Sequence, residues 1–318
     1  MGPTAHHPFL SAEAKAMYLE HNERRARAWP VPCECRSVET PHGRTFMRVS
    51  GPAGAPPLVL LPGGGAHSLM WIPCIAALSA RHRTYALDSI LDVGRSANTR
   101  PVKKVEDLCD WLEGLFDALE LGPSVRLLGL SHGGWLAANY ARRHPARVEK
   151  LVLLAPAAWI LPLRPAMLLR MMVMLLPPRR FFIRRAYRWS LPDLAASGAR
   201  GQAIIEEMTE DLALAFRCFG LRRMTRMLPP TVIDDEALRR HAVPTLFVIG
   251  EHERIYGREE ALRRLARLAP GIATAVIPGA GHDMTWLEPD LVCRAVLDFL
   301  ASDRKGASPL QAGKSGVC

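Results

Sequence analysis

The segment Gly129-Leu-Ser131-His-Gly133-Gly134 holds the residues with the clearest capacity for chemistry. It follows the apolar run Val125–Leu130 and precedes a run of helical character, read as Trp135–Arg143. A strand, a sharp turn and a helix in that order would lift the Ser131 hydroxyl clear of a sheet edge. Glycines on either side would let backbones pass closely. A serine hydroxyl is a weak nucleophile until a base takes its proton. His282 ends Pro278-Gly-Ala-Gly-His282, after the last strand-like run and before the final helix. That position suits a general base reaching the sheet edge. Among the eleven histidines, His252 is its main competitor.

An imidazole base needs a carboxylate to hold its tautomer. After the apolar run Val148–Leu154 the chain reads Ala155-Pro-Ala-Ala-Trp159, with no acid. After Pro244–Ile249 it reads Gly250-Glu-His-Glu-Arg254, with two. Glu253 is favoured because it lies far enough past the strand to turn back towards His282, and Glu251 is held in reserve. Asp283 adjoins the base, but successive side chains diverge. A tetrahedral intermediate also needs N–H donors aimed at its oxyanion. One is expected from the backbone of His132. The second is expected from Leu61-Pro-Gly-Gly-Gly65, with Gly64 preferred and Gly65 the reserve.

Elements able to position these groups can be read along the chain. Ser11 to Arg27 reads as a helix, and Glu34–Glu39 with Thr45–Val49 as a hairpin around Pro41-His-Gly43. Strand-like runs at Leu58–Leu61, Thr84–Leu87, Val125–Leu130 and Val148–Leu154 alternate with helical ones at Leu69–Ala80 and Val105–Leu121. After a long helical interruption, the alternation resumes with Pro244–Ile249, Arg258–Leu268, Ala273–Ile277 and Leu287–Leu300. All-apolar strands alternating with helices predict an α/β fold, a mostly parallel twisted sheet flanked by helices. The expected organisation is an N-terminal helical segment (1–30), a core (31–156 and 242–301), an inserted helical cap (157–241) and a loose tail (302–318).

The formal net charge is +10, with 49% hydrophobic residues. The excess could serve an anionic partner or a membrane surface, but arginine-rich composition is the plainer account. Seven scattered cysteines suit a reducing compartment, and Cys33-x-Cys35 alone is too little for zinc. The N-terminus lacks the pattern of a secretory leader, and the apolar stretch Ala166 to Pro178 is too short and broken to span a bilayer. A cytoplasmic protein with no metal and no cofactor is expected. The glycines at 63–65 followed by Asp88 mimic a dinucleotide fingerprint, but they are contiguous rather than spaced. Without an aromatic–basic platform, nucleic acid is not an expected partner.

Taken together, the motifs resemble the α/β-hydrolase superfamily from about Glu34 to Ala301. The order Ser131…Glu253…His282 is that of the superfamily. Ser68-Leu-Met-Trp71, Arg83-Thr-Tyr-Ala-Leu-Asp88 and Gly250-Glu-His-Glu-Arg-Ile-Tyr256 look most like bacterial carboxylesterases of the naproxen-esterase type. The resemblance implies an α/β-hydrolase fold, a serine esterase acting through an acyl-enzyme on a small-molecule ester, and a glutamate as the triad acid. Pro62 and His132 depart from it, standing where many relatives have histidine and a small or apolar residue. Acyl transfer or thioester cleavage by the same triad is an alternative, as is a non-catalytic binding protein on this fold. From Trp159 to Pro192 the cap carries seven arginines, many Leu and Met, and no acid. This suits an apolar acyl or aryl substrate or plain helix packing, with contact at a membrane surface ranked below both.

Overall fold

The computed structural model describes residues 8–175, 180–224 and 227–302. Among them a nine-stranded sheet forms from β1 (Glu34–Thr40), β2 (Gly43–Ser50), β3 (Pro57–Leu61), β4 (Arg83–Leu87), β5 (Ala97–Asn98), β6 (Val125–Leu130), β7 (Val148–Leu154), β8 (Thr245–Gly250) and β9 (Ala273–Ile277). The strands lie in the order β1-β2-β4-β3-β6-β7-β8-β9, with β5 paired to β2. β2 runs antiparallel to β1 and β4, whereas every pairing from β4 to β9 is parallel.

Side-chain alternation along the strands sorts the interior into two cores. Val59, Leu61, Leu127, Leu151, Leu153, Phe247 and Ile249 join one, and Leu58, Leu60, Leu128, Val152, Leu154, Leu246 and Val248 join the other. Both faces of the parallel strands are therefore buried, which is why these strands read as unbroken apolar runs. The first core is covered by α3 (Val105–Ala118), α4 (His132–Arg143) and α10 (Arg258–Leu268), and the second by α2 (Ile72–Ser79) and α12 (Pro289–Ala301). The chain has the α/β-hydrolase fold.

Several boundaries differ from the sequence reading. The helix after Ser131 starts at His132, three residues before Trp135. The expected Leu69–Ala80 helix opens with a 3-10 turn at Ser68–Trp71, with Pro73 in the first turn of α2. The expected Leu287–Leu300 helix is two pieces, α11 (Met284–Leu287) and α12, divided at Glu288, which precedes a proline.

Between β7 and β8 lie α5 (Pro165–Leu175), α6 (Arg180–Ser190), α7 (Pro192–Ala196), α8 (Ala199–Met224) and α9 (Asp235–Arg239). The N-terminal α1 (Ala12–Ala26) is capped by Ser11, whose hydroxyl accepts from the Ala14 N–H at 3.1 Å. It packs along α8, where Arg25 pairs with Glu207 and His21 Nε2 meets Asp211 Oδ1, each at 2.5 Å. Most of the expected tail (303–318), like residues 1–7, lies outside the described residues. Among those described, no helix is long and apolar enough to cross a membrane.

Candidate active site

The C-terminal ends of β6, β8 and β9 bring the predicted residues to one edge of the sheet. Ser131 follows β6 directly and occupies the N-cap position of α4 with φ 54° and ψ −117°. This is strained backbone for a side chain. Its N–H donates to Leu154 O and its carbonyl accepts from Ala157 N, both at 2.9 Å, so the end of β7 and the residues just after it hold the turn from both sides. The glycines are required by close approach. A Cβ on Gly129 would stand 2.4 Å from Gly133 O, and one on Gly133 would stand 2.4 Å from Leu61 O. The low helix propensity of Gly133-Gly134 is thereby overruled, and α4 begins immediately after the serine.

His282 and Glu253 come from the loops after β9 and β8. Strand pairing reaches Gly250 and Ile277, and the loops stay joined beyond it by His252 N–H to Ala280 O at 3.0 Å. His282 Nδ1 lies 3.0 Å from Glu253 Oε2. The other oxygen, Glu253 Oε1, accepts from the Arg254 and Ile255 N–H groups at 2.8 and 3.0 Å. The carboxylate is fully buried and the imidazole nearly so. Burial pulls the imidazole pKa down, but the Glu253 charge and hydrogen bond outweigh it and leave it raised. Burial also pushes Glu253 up, and the His282 charge with the two backbone donors brings it net below the ordinary carboxyl value. The two shifts agree in sign, as for an imidazolium stabilised by a carboxylate. The Ser131 hydroxyl makes no hydrogen bond among the described residues. Such contacts are often long without substrate and tighten in the complex.

The alternatives have other partners. Glu251 is about half exposed, and its Oε2 accepts from Gly279 N–H at 2.9 Å, bracing the turn before the histidine. The half-exposed His252 ring sits between Asp193 (3.2 Å) and Glu251 (3.9 Å). Asp283 turns away from the imidazole and accepts from Gly281 N–H at 3.0 Å and from Leu194 N–H of α7 at 2.9 Å. Burial first, and the Asp193 charge among lesser causes, hold its pKa above the ordinary value.

The glycine loop after β3 has a partner that sequence reasoning missed. Gly65, at φ 73°, donates its N–H to Asp92 Oδ2 at 2.7 Å. Its amide is engaged, whereas the Gly64 N–H has no acceptor among the described residues. Met227 covers Gly64 closely, so that a Cβ there would stand 2.7 Å from the Met227 methyl. Beside it, His132 Nε2–H donates to Leu228 O at 3.0 Å. Burial lowers the His132 pKa, which favours the neutral ring. Among the described residues no three His, Cys, Asp or Glu side chains gather to hold a metal ion.

The family model for the alpha/beta hydrolase family matches residues 58–295. The chain belongs to the α/β-hydrolase family. This hydrolase is 31% identical to carboxylesterase YbfK of Bacillus subtilis, over 93% of this chain and 98% of the relative. It is 32% identical to the uncharacterized carboxylesterase nap of the same organism, over 93% and 96%. Among solved structures it resembles carboxylesterase CesB (YbfK) of B. subtilis, with a TM-score of 0.81 at 29% identity over 91% of this chain and 99% of that one. Naproxen esterase of B. subtilis gives 0.80 at 30% identity, with the same coverage. For the hydrolase, the loops singled out in the sequence as carrying the candidate site meet at one edge of the sheet. Asp92 and the Met227–Leu228 segment could be recognised only through contacts across the fold.

Proposed function

We propose that this hydrolase is a carboxylesterase in which Ser131, His282 and Glu253 form the catalytic triad. The observation carrying the reading is the buried Glu253–His282 hydrogen bond, at the sheet edge that presents the strained Ser131. Kinship with carboxylesterases over nearly the whole chain supports it.

In this mechanism His282 Nε2 takes the Ser131 proton as Oγ attacks the ester carbonyl carbon. Glu253 keeps the other imidazole proton on Nδ1 and stabilises the imidazolium that forms. The N–H groups of Gly64 and His132 donate to the oxyanion. The alcohol leaves with the proton from His282, and the acyl group stays on Ser131. A water then gives its proton to His282 and attacks the acyl carbon, and the released acid restores the serine. The engagement of Gly65 by Asp92 supports Gly64 as the second donor.

The helices between β7 and β8 act as a cap in this reading. Leu212 approaches Gly65, Met227 approaches Gly64, and the Leu228 carbonyl meets His132. An apolar wall on the acyl side favours small esters with an apolar acyl or aryl group. A fluorophosphonate should modify Ser131 stoichiometrically and stop turnover of p-nitrophenyl esters, with acyl-CoA thioesters assayed in parallel. Labelling at another residue, or full activity in Ser131→Ala, would remove the mechanism. Preference for the thioesters would retain it but change the substrate.

A further inference from the structure

The helices above the site carry two faces of different chemistry. The inner face of α6 is apolar. Ile183 is completely buried and packs against Leu212, Ala213 and Phe216 of α8. The outer face of α6 carries Arg180, Phe181, Arg184, Arg185 and Arg188, all exposed. On the adjoining α5, Leu168, Leu169 and Met172 point outward. Together with Phe181 they are between 48% and 66% exposed, and they make up four of the seven exposed large hydrophobic side chains among the described residues. Arg170 of α5 lies over the Trp189 ring of α6, 3.0 Å from its centroid, and joins the two helices.

The charge on this face is of one sign. Residues 159–192 contain seven arginines and no acid. Arg184 has one acidic partner, Glu206 of α8 at 3.1 Å. Arg180, Arg185 and Arg188 have none among the described residues.

We propose that the outer face of α5 and α6 docks on a lipid bilayer bearing anionic headgroups. A bilayer surface satisfies both halves of this chemistry at once. Leucine, methionine and phenylalanine enter the acyl boundary, while arginine stems extend along apolar surface and place their guanidinium groups on phosphates. A purely polyanionic partner would leave the outward leucines in water. A second copy pairing this face with itself would bring two arginine clusters together, because a two-fold interface repeats the same patch on both sides. The helices lie on the surface rather than span it, since among the described residues no helix is long and apolar enough to cross. The face is separate from Ser131, so the proposal stands independently of the ester reading.

Flotation of the full-length protein with vesicles tests it. Phosphatidylcholine vesicles should carry little protein, and replacing about a third of the lipid with phosphatidylglycerol should raise the bound fraction roughly tenfold or more. Raising NaCl from about 0.05 to about 0.5 M should reverse that gain, a check that needs no variant. The triple variant Arg180→Ala/Arg185→Ala/Arg188→Ala should lose the dependence on phosphatidylglycerol, and Leu169→Ser/Phe181→Ser should weaken binding to both vesicles. Both should keep the circular dichroism melt of the unsubstituted protein, showing that they fold. Equal binding to the two vesicles, or none, overturns the proposal. Sedimentation as a dimer that Phe181→Ser converts to monomer also overturns it and gives the face to a second copy.

Discussion

Glu253→Gln is the substitution whose outcome the geometry constrains most tightly. Oε1 accepts from two backbone N–H groups, and Oε2 faces His282 Nδ1 at 3.0 Å. A glutamine there must keep its carbonyl oxygen on the Arg254 and Ile255 amides, because an NH2 in that place would oppose two donors. Its NH2 then points at Nδ1, which must accept. The imidazole proton is forced onto Nε2, the atom that should receive the Ser131 proton. Two losses therefore combine, the correct tautomer and the charge that stabilises the imidazolium. For charge centres roughly 4 Å apart, the electrostatic part is about 4 kcal/mol at an effective dielectric of about 20. That corresponds to about a thousandfold in rate. With the tautomer included, kcat should fall by about 10³–10⁴-fold.

The assay is steady-state hydrolysis of a p-nitrophenyl ester, with the circular dichroism melt as a check on folding. Glu251→Gln is the control. That residue braces Gly279 from a half-exposed position, so its loss should change kcat less than about tenfold, as expected for a surface contact. A folded Glu253→Gln enzyme with near-normal kcat, or a larger loss in Glu251→Gln, would refute the assignment of the acid.

The pH profile follows from the same pair. Catalysis needs neutral His282 and its pKa is raised, so kcat/KM should fall on acidification with a midpoint above the ordinary imidazole value. In Glu253→Gln the two Glu253 causes are lost and only the lesser Asp283 charge still opposes burial, so the residual acid limb should move to lower pH, and an unmoved limb would mean another group titrates. Asp92→Ala should release the Gly65 amide and loosen the oxyanion loop, lowering kcat by roughly tenfold to a hundredfold while KM changes little. A rise in KM alone would assign Asp92 to binding instead. Met227→Ala should open space beside Gly64 and shift the optimum in kcat/KM towards longer acyl chains, by up to about 0.8 kcal/mol for each further methylene buried. An unchanged chain-length profile would place the acyl group elsewhere.

The architecture was legible because burial on both faces leaves a local trace. Leu58–Leu61 is wholly apolar, and Val148–Leu154 is apolar after the charged pair Glu149-Lys150 near its start, without strict alternation, and a doubly covered parallel sheet accounts for them. Ser131, Glu253 and His282 were legible for a related reason. Each lies a few residues beyond such a run, and parallel strands deliver their following loops to a common edge. Helix starts were less legible. Gly133-Gly134 argues locally against a helix, yet the sheet needs the helix axis that close.

The contacts that join these loops into a working edge could not be read in the same way. Asp92 and Gly65 are 27 residues apart, Asp283 and Leu194 are 89, and His132 and Leu228 are 96. No spacing records which carboxylate will accept from which amide. Asp283 shows the consequence. Its divergence from His282 was reason to discount it as the acid, and that same divergence aims its carboxylate at α7. Gly281 and Leu194 donate to its two oxygens, so the loop carrying the base and a helix above it share one buried side chain. His132 makes a second such tie, with its ring on the Leu228 carbonyl one residue from the nucleophile. The segment between β7 and β8 is thus fastened, through Leu194 and Leu228, to the residues next to His282 and Ser131. A displacement of that segment would reach the neighbours of His282 and Ser131 through these two side chains, and Ser131 itself through the Ala157 N–H on its carbonyl.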